Sequence, residues 1–234
     1  MKPYQAIPIR ESHEPLVPIP PDRFAIIHPH PYQALGAPYG DRDPFWVRAG
    51  VLDRLHQALD HLQQDYPGWG IQIFDAFRPV SVQQFMVDHA IAEIAIARNL
   101  NPEALSDADR AVILLEVQTF WALPSVDPAT PPPHSTGGAI DITLVQADGE
   151  PLDMGSPIDE LSPRSYPDHF ANADPDPNPV TTFHQRRQLL KRVLTQAGFV
   201  QHPNEWWHFC YGDQMWAWLS CAPYAYYGRV AGAV

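Results

Sequence analysis

Proline fixes φ and removes a backbone donor, so a dense run of it forbids helix and central strand. In this chain the prolines are segregated. Of 27, ten fall in residues 1–44, three in 45–123, twelve in 124–179 and two beyond. The 234 residues therefore divide into an extended arm, a helical block, a loop-rich middle and a regular C-terminal block. No fixed-period repeat is present and no Gly/Ser linker separates two halves. The expectation is an extended proline-rich arm over residues 1–23 and a single domain over 24–234. Apolar residues at 45% and aromatics at 11% suffice for a core despite the proline load.

The helical block carries local signals. Leu52, Leu55, Leu59 and Leu62 recur at steps of three and four, a helix that Pro67 and Gly68 end. GIQIFDAF (70–77) is rich in β-branched and aromatic residues and predicts a strand. Ser81 and Gln84 form a capping-box pattern for the next helix, whose core face would carry Phe85, Met86, Ala90 and Ile94. A further helix is predicted from about Asp107 to Phe120. In GAIDITLV (138–145), Ile140, Ile142 and Leu144 alternate with Asp141 and Thr143, the pattern of a half-buried strand, and Asp148-Gly149 marks a turn after it. Thr181 or Thr182 starts a last helix with Gly198 just past its end, and 199–209 reads as strand.

Composition excludes several function classes. Fifteen Lys+Arg against 27 Asp+Glu give a net charge of −12, which repels nucleic-acid phosphates. No apolar run is long enough to span a bilayer. The start, MKPYQAIPIR, lacks the apolar stretch of a secretory signal, so a cytoplasmic location is expected. Cys210 and Cys221 are too few for a disulfide scaffold and are expected as buried free thiols.

Three clusters hold polar residues that a plain core does not need. In HSTGGAID (134–141), a loop folding back at Gly137 and Gly138 would bring His134 and Asp141 to one metal ion; the competing reading is a loop histidine and a solvent-facing aspartate. In NEWWHF (204–209), Glu205 and His208 lie among large aromatics and need partners if buried. A zinc ion would satisfy His208 while Glu205 takes a proton from water; the alternative is an edge glutamate and a core histidine. Residues three apart on a regular strand face opposite ways, so these two converge only through a bulge or twist. In DAFRP (75–79), Arg78 at a strand-to-helix corner would hold an oxyanion or carboxylate, or else simply pair with Asp75. Together, two histidines and one aspartate make the open ligand set of a catalytic zinc, and neither HExxH nor CxxC competes for the role. The remaining histidines read as surface or packing residues. His28 and His30 belong to a solvated HPHP loop, and His169 and His202 are weaker candidates for support of the site.

FRP, H-x-x-G-x-A-x-D, M-G-x-x-x-D and E-W-W-H-F, in that order from about Phe24 to Tyr227, resemble the zinc-dependent D-alanyl-D-alanine dipeptidases. That family sits in a wider group with D-Ala-D-Ala carboxypeptidases, lysostaphin-type endopeptidases and the hedgehog signalling domain. The resemblance implies an α+β fold, a small mainly antiparallel sheet carrying one Zn2+ with helices around it. It implies His134, Asp141 and His208 as zinc ligands, Glu205 as catalytic base and Arg78 as the residue stabilising the tetrahedral intermediate. It implies Asp159, in MGSPID (154–159), as the acceptor of the substrate's amino group, and a small dipeptide as substrate. The alternatives within the resemblance are a carboxypeptidase or endopeptidase on longer wall peptides and a non-catalytic zinc-binding module. One departure stands out: the family usually has serine two residues before the histidine ligand, and here that position is Pro132, which offers no hydroxyl.

Overall fold

The computed structural model describes residues 2–172, 182–230 and 232. In chain order the strands are β1 (Leu16–Pro18), β2 (Ala25–Ile26), β3 (Trp46–Arg48), β4 (Gly70–Asp75), β5 (Ala139–Val145), β6 (Val200–Gln201) and β7 (His208–Cys210). The α-helices are α1 (Pro31–Ala34), α2 (Ala49–Asp65), α3 (Val80–Ala97), α4 (Asp107–Phe120), α5 (Phe183–Gln196) and α6 (Gln214–Leu219). Strands β2-β4-β5-β7-β6 form one sheet, with every neighbouring pair antiparallel except β2–β4, and β1 pairs with β3 beside it. This is the expected α+β architecture with a small, mainly antiparallel sheet.

One face of the sheet makes the main core. Ile71 and Ile73 of β4 and Ile140, Ile142 and Leu144 of β5 pack with Leu55, Leu59 and Leu62 of α2 and Leu190, Val193 and Leu194 of α5. The leucine spacing of α2 therefore marks its buried face, with Leu52 at its half-buried margin. A second cluster joins α3 to α4 through Val82, Met86, Val87, Ile91, Ile113 and Val117. Phe85 and Ile94 lie at its edge rather than within it.

Two helix starts follow their caps. Ser106 Oγ accepts the Asp109 N–H at 3.1 Å ahead of α4, and Thr182 and Gln185 form a reciprocal capping box ahead of α5. The alternative start at Thr181 lies outside the described residues. Gly198 takes a left-handed φ of 94° just after α5, as a C′ glycine does.

Three expectations about secondary structure are corrected. The helix assigned to a Ser81 cap begins at Val80, because the Pro79 carbonyl already accepts the Gln83 N–H at 3.0 Å; Ser81 falls inside the first turn, and the Gln84 side chain bonds Asp88 instead. β5 is not half-buried: all seven residues are buried, because Asp141 borders an enclosed cleft and Thr143 lies beside the 151–158 segment and Trp206 instead of water. The segment 199–209 is a hairpin of β6 and β7, broken where Pro203 has no N–H to give a ladder. Of the thiols, Cys210 is buried as expected, but Cys221 is exposed beyond α6.

Candidate metal centre and active site

The sheet register sets out the site. Asp75 of β4 lies opposite Asp141 of β5, which lies opposite His208 of β7, after a register shift between Ile73 and Asp75. Three chemically active residues thus form a row across three strands. His134 joins them from a 3-10 turn, Pro133–Thr136, closed by Gly137 at φ 72°. A Cβ on Gly137 would stand 2.5 Å from the Leu16 side chain, so glycine is favoured there. The turn is fastened to the β4–α3 corner by Arg78 N–H to the His134 carbonyl and Ser135 Oγ–H to the Arg78 carbonyl, at 3.3 and 2.7 Å. Pro132 and Pro133 are buried, and Pro132 leads into the turn.

One donor atom from each of His134, Asp141 and His208 lies within 4.8 Å of the others, and all three side chains are buried. His134 Nδ1 donates to the Ala76 carbonyl at 2.7 Å, which leaves the Nε2 lone pair facing the cluster. That nitrogen is 3.2 Å from His208 Nδ1 and 3.3 Å from Asp141 Oδ2, and His208 Nδ1 is 3.0 Å from Asp141 Oδ1. Two imidazoles and a carboxylate converging in this way suit a cation. The donor set and the fixed tautomer of His134 fit a tetrahedral zinc with one open position. Burial lowers the proton affinity of His208, as a neutral ligand requires. His134 moves the other way, because Asp141 outweighs the effect of its burial.

Glu205 lies in the loop before β7, with Oε2 3.6 Å from His208 Nδ1. Leaving the strand removes the alternation conflict between these two residues. Burial first, then the charge of Asp141, pushes the Glu205 carboxyl well above its usual range, and Lys2 partly offsets this. Arg78 is held by Asp75 through Nε and Nη2 (3.0 and 2.7 Å) and by Gln83 Oε1 through Nη1 (2.9 Å). It still reaches within 3.4 Å of Asp141 Oδ2, so it both pairs with Asp75 and lines the cleft. Asp159, at a left-handed φ of 68°, accepts the Tyr32 hydroxyl at 2.7 Å, and burial with the nearby charge of Asp141 pushes it up to about 7. All six residues border one cleft walled by Phe120, Trp121, Trp207 and Met215, with a cavity volume of about 30 Å3. That is room for about one or two water molecules between the side chains.

Residues 26–225 match the family described as D-Ala-D-Ala dipeptidase. This chain belongs to that family. A D-alanyl-D-alanine dipeptidase of Synechocystis sp. is 46% identical over 240 residues, covering 98% of this chain and 97% of its own length. One from Enterococcus faecium is 31% identical over 150 residues, 63% of this chain and 64% of its own. Among solved structures, the vancomycin resistance D,D-pentapeptidase VanY in complex with Zn(II) is 17% identical at a TM-score of 0.42, covering 71% of this chain and 72% of that one.

For a chain of the D-Ala-D-Ala dipeptidase family, the sequence motifs leave several parts of the cleft unnamed. Tyr32 bridges Arg78 and Asp159, accepting from Arg78 Nη2 at 3.1 Å while donating to Asp159. His30 is not a loop residue in water; it is 1% exposed and bonds Asp75 Oδ1 through Nε2 at 3.0 Å. Of the two supporting histidines, His202 is buried in the cleft with Nδ1 3.9 Å from Glu205 Oε1, while His169 is exposed and outside it. Lys2 and Tyr4 also line the cleft. For His30 and Tyr32 the only sequence signal is the crowding of histidine and tyrosine in HPHPY (28–32), and Lys2 and Tyr4 carry none.

Proposed function

We infer that this chain hydrolyses D-alanyl-D-alanine, or a close dipeptide, to free amino acids, with one Zn2+ held by His134, Asp141 and His208. The observation that carries the reading is that this His–Asp–His set opens on the same cleft as Glu205, Arg78 and Asp159 in a chain of this family. When bound, zinc supplies a Lewis acid that polarises the scissile carbonyl and makes water acidic enough to attack near neutral pH.

The chain's own groups do the remaining work. Glu205 takes a proton from the attacking water and returns it to the leaving nitrogen, a role suited to a carboxylate whose proton affinity burial has raised. Arg78, immobilised by Asp75 and Gln83, faces the carbonyl oxygen as negative charge develops there. Asp159, oriented by Tyr32, receives the substrate's ammonium and so favours dipeptides over longer chains. The aromatic walls exclude bulk water.

The purified protein should carry one zinc per chain and hydrolyse D-Ala-D-Ala faster than a longer peptide ending in it. Glu205→Ala should keep its zinc while kcat falls about 10²–10⁴-fold. A full rate in that variant would remove Glu205 as the base, and a parent without zinc or turnover would remove the whole reading.

A further inference from the structure

We propose that the N-terminal segment builds the subsite for the substrate's carboxylate, with the Lys2 ammonium and the Tyr4 hydroxyl as its donors. The proposal rests on the dipeptidase reading and extends it to residues outside the 26–225 matched by the family.

A dipeptide enters as a zwitterion, and a closed cleft must meet both of its charges. The cations bordering the cleft are Lys2 and Arg78, beside the histidines. Arg78 is already engaged by Asp75, Gln83, Tyr32 and Asp141. Lys2 Nζ makes one long bond, 3.4 Å to the Trp121 carbonyl, and an ammonium has three donors. Two residues on, the Tyr4 hydroxyl has no hydrogen-bond partner among the described residues, although Tyr4 is only 4% exposed. Burial holds that phenol well above its usual range, so it stays a donor at any working pH. A carboxylate would accept from both groups.

The segment is fixed in place. Residues Pro3–Ala6 form a 3-10 turn, and Tyr4 packs with Cys210 and Met215. Gln214 Nε2 donates to the Ile7 carbonyl at 2.7 Å, and Ala225 N–H to the Pro8 carbonyl at 2.9 Å. Glu205 borders the same cleft as Lys2 and Asp159.

The test compares D-Ala-D-Ala with D-alanyl-D-alaninamide on the zinc-loaded enzyme. Lys2→Gln should raise KM for the dipeptide roughly ten- to a hundredfold with kcat little changed, and Tyr4→Phe by about tenfold or less. Both variants should leave KM for the amide near the parent's, and Lys2→Arg should keep most of the dipeptide affinity. Tyr4→Phe retains the ring that packs on Met215, so folding is not at stake. Unchanged KM for the dipeptide, or an equal rise for the amide, overturns the subsite while the dipeptidase reading stands. Absence of turnover by the parent on either compound overturns both.

Discussion

Asp75 controls the charge balance beneath the cleft. It is fully buried and accepts hydrogen bonds from His30, Tyr39 and Arg78. Burial alone would raise its pKa, but Arg78, His30 and His134 outweigh this and hold the carboxyl at about 2, against an ordinary 3.8. A depressed carboxyl contributes stability that is present above its unfolded pKa and lost as pH falls through the folded one. Asp75→Asn strands Arg78 as a buried, poorly paired charge, so urea unfolding at pH 7 should show a loss of about 3–5 kcal/mol. The deficit should narrow as pH falls from about 4 to about 2. Asp159 behaves in the opposite way. Its pKa is raised to about 7, so the folded state binds the proton more tightly than the unfolded chain does, and stability declines as pH rises through the interval from 3.8 to about 7. Asp159→Asn should therefore melt higher than the parent at pH 8, by a smaller margin at pH 5, yet show a raised KM for the dipeptide. A melt lowered equally at both pH values would mean that Asp159 is a structural residue and not a strained binding group.

At the scale of elements, the sequence made legible most of what depends on local chemistry, the Ser81 cap excepted. The leucine spacing located α2, α4 was placed from about Asp107, Thr182 was one of two starts read for α5, and Gly198 located its end. The other misreadings arise where a tertiary neighbour changes what a local pattern means. Alternation in β5 distinguishes Asp141 and Thr143 from their apolar neighbours, but cannot say whether they face water, a cleft or a covering loop. Likewise, the convergence of Glu205 with His208 depends on where the β6–β7 hairpin turns, which is set by Pro203 and the pairing with β5. The candidate ligands, Glu205, Arg78 and Asp159 were visible as ordered motifs; Tyr32, His30 and Gln83 reach the site only through packing and bear no such mark. Gly137 links the two levels. Its left-handed φ strains any alanine placed there, and the end of the Leu16 side chain, 2.5 Å from an added Cβ, would have to move. Gly137→Ala should lower stability by about 1–3 kcal/mol and weaken zinc binding by displacing His134, seen as a reduced melting temperature and a raised dissociation constant in metal titration.

At the scale of the whole molecule, chain segments far apart in sequence are gathered around one side chain, Arg48, which is 6% exposed. Its Nε donates to the Thr136 carbonyl at 2.8 Å, Nη1 to the Glu14 carbonyl at 2.6 Å and Nη2 to the Gly228 carbonyl at 3.1 Å. Its backbone N–H reaches the Gly137 carbonyl at 2.9 Å, and Glu11 pairs with the guanidinium while accepting the Gly228 N–H. One residue thus ties the N-terminal segment and the C-terminal segment to the turn that carries His134. Proline-rich stretches have few backbone donors of their own, so side-chain donors must supply their cross-links. Arg48→Met keeps much of the volume but removes every side-chain donor, leaving carbonyls of three segments without partners. The expected loss is about 3–5 kcal/mol, read by denaturant unfolding. Hydrogen exchange should show a sharper signature: protection at 11–16, 134–137 and 225–230 should fall together, while α2 and α5 keep theirs, and zinc affinity should fall with the 134–137 turn. Loss confined to 11–16 would instead make the N-terminal segment an independent strap, and the frame of the metal site would then depend on the Arg78 and Ser135 bonds alone.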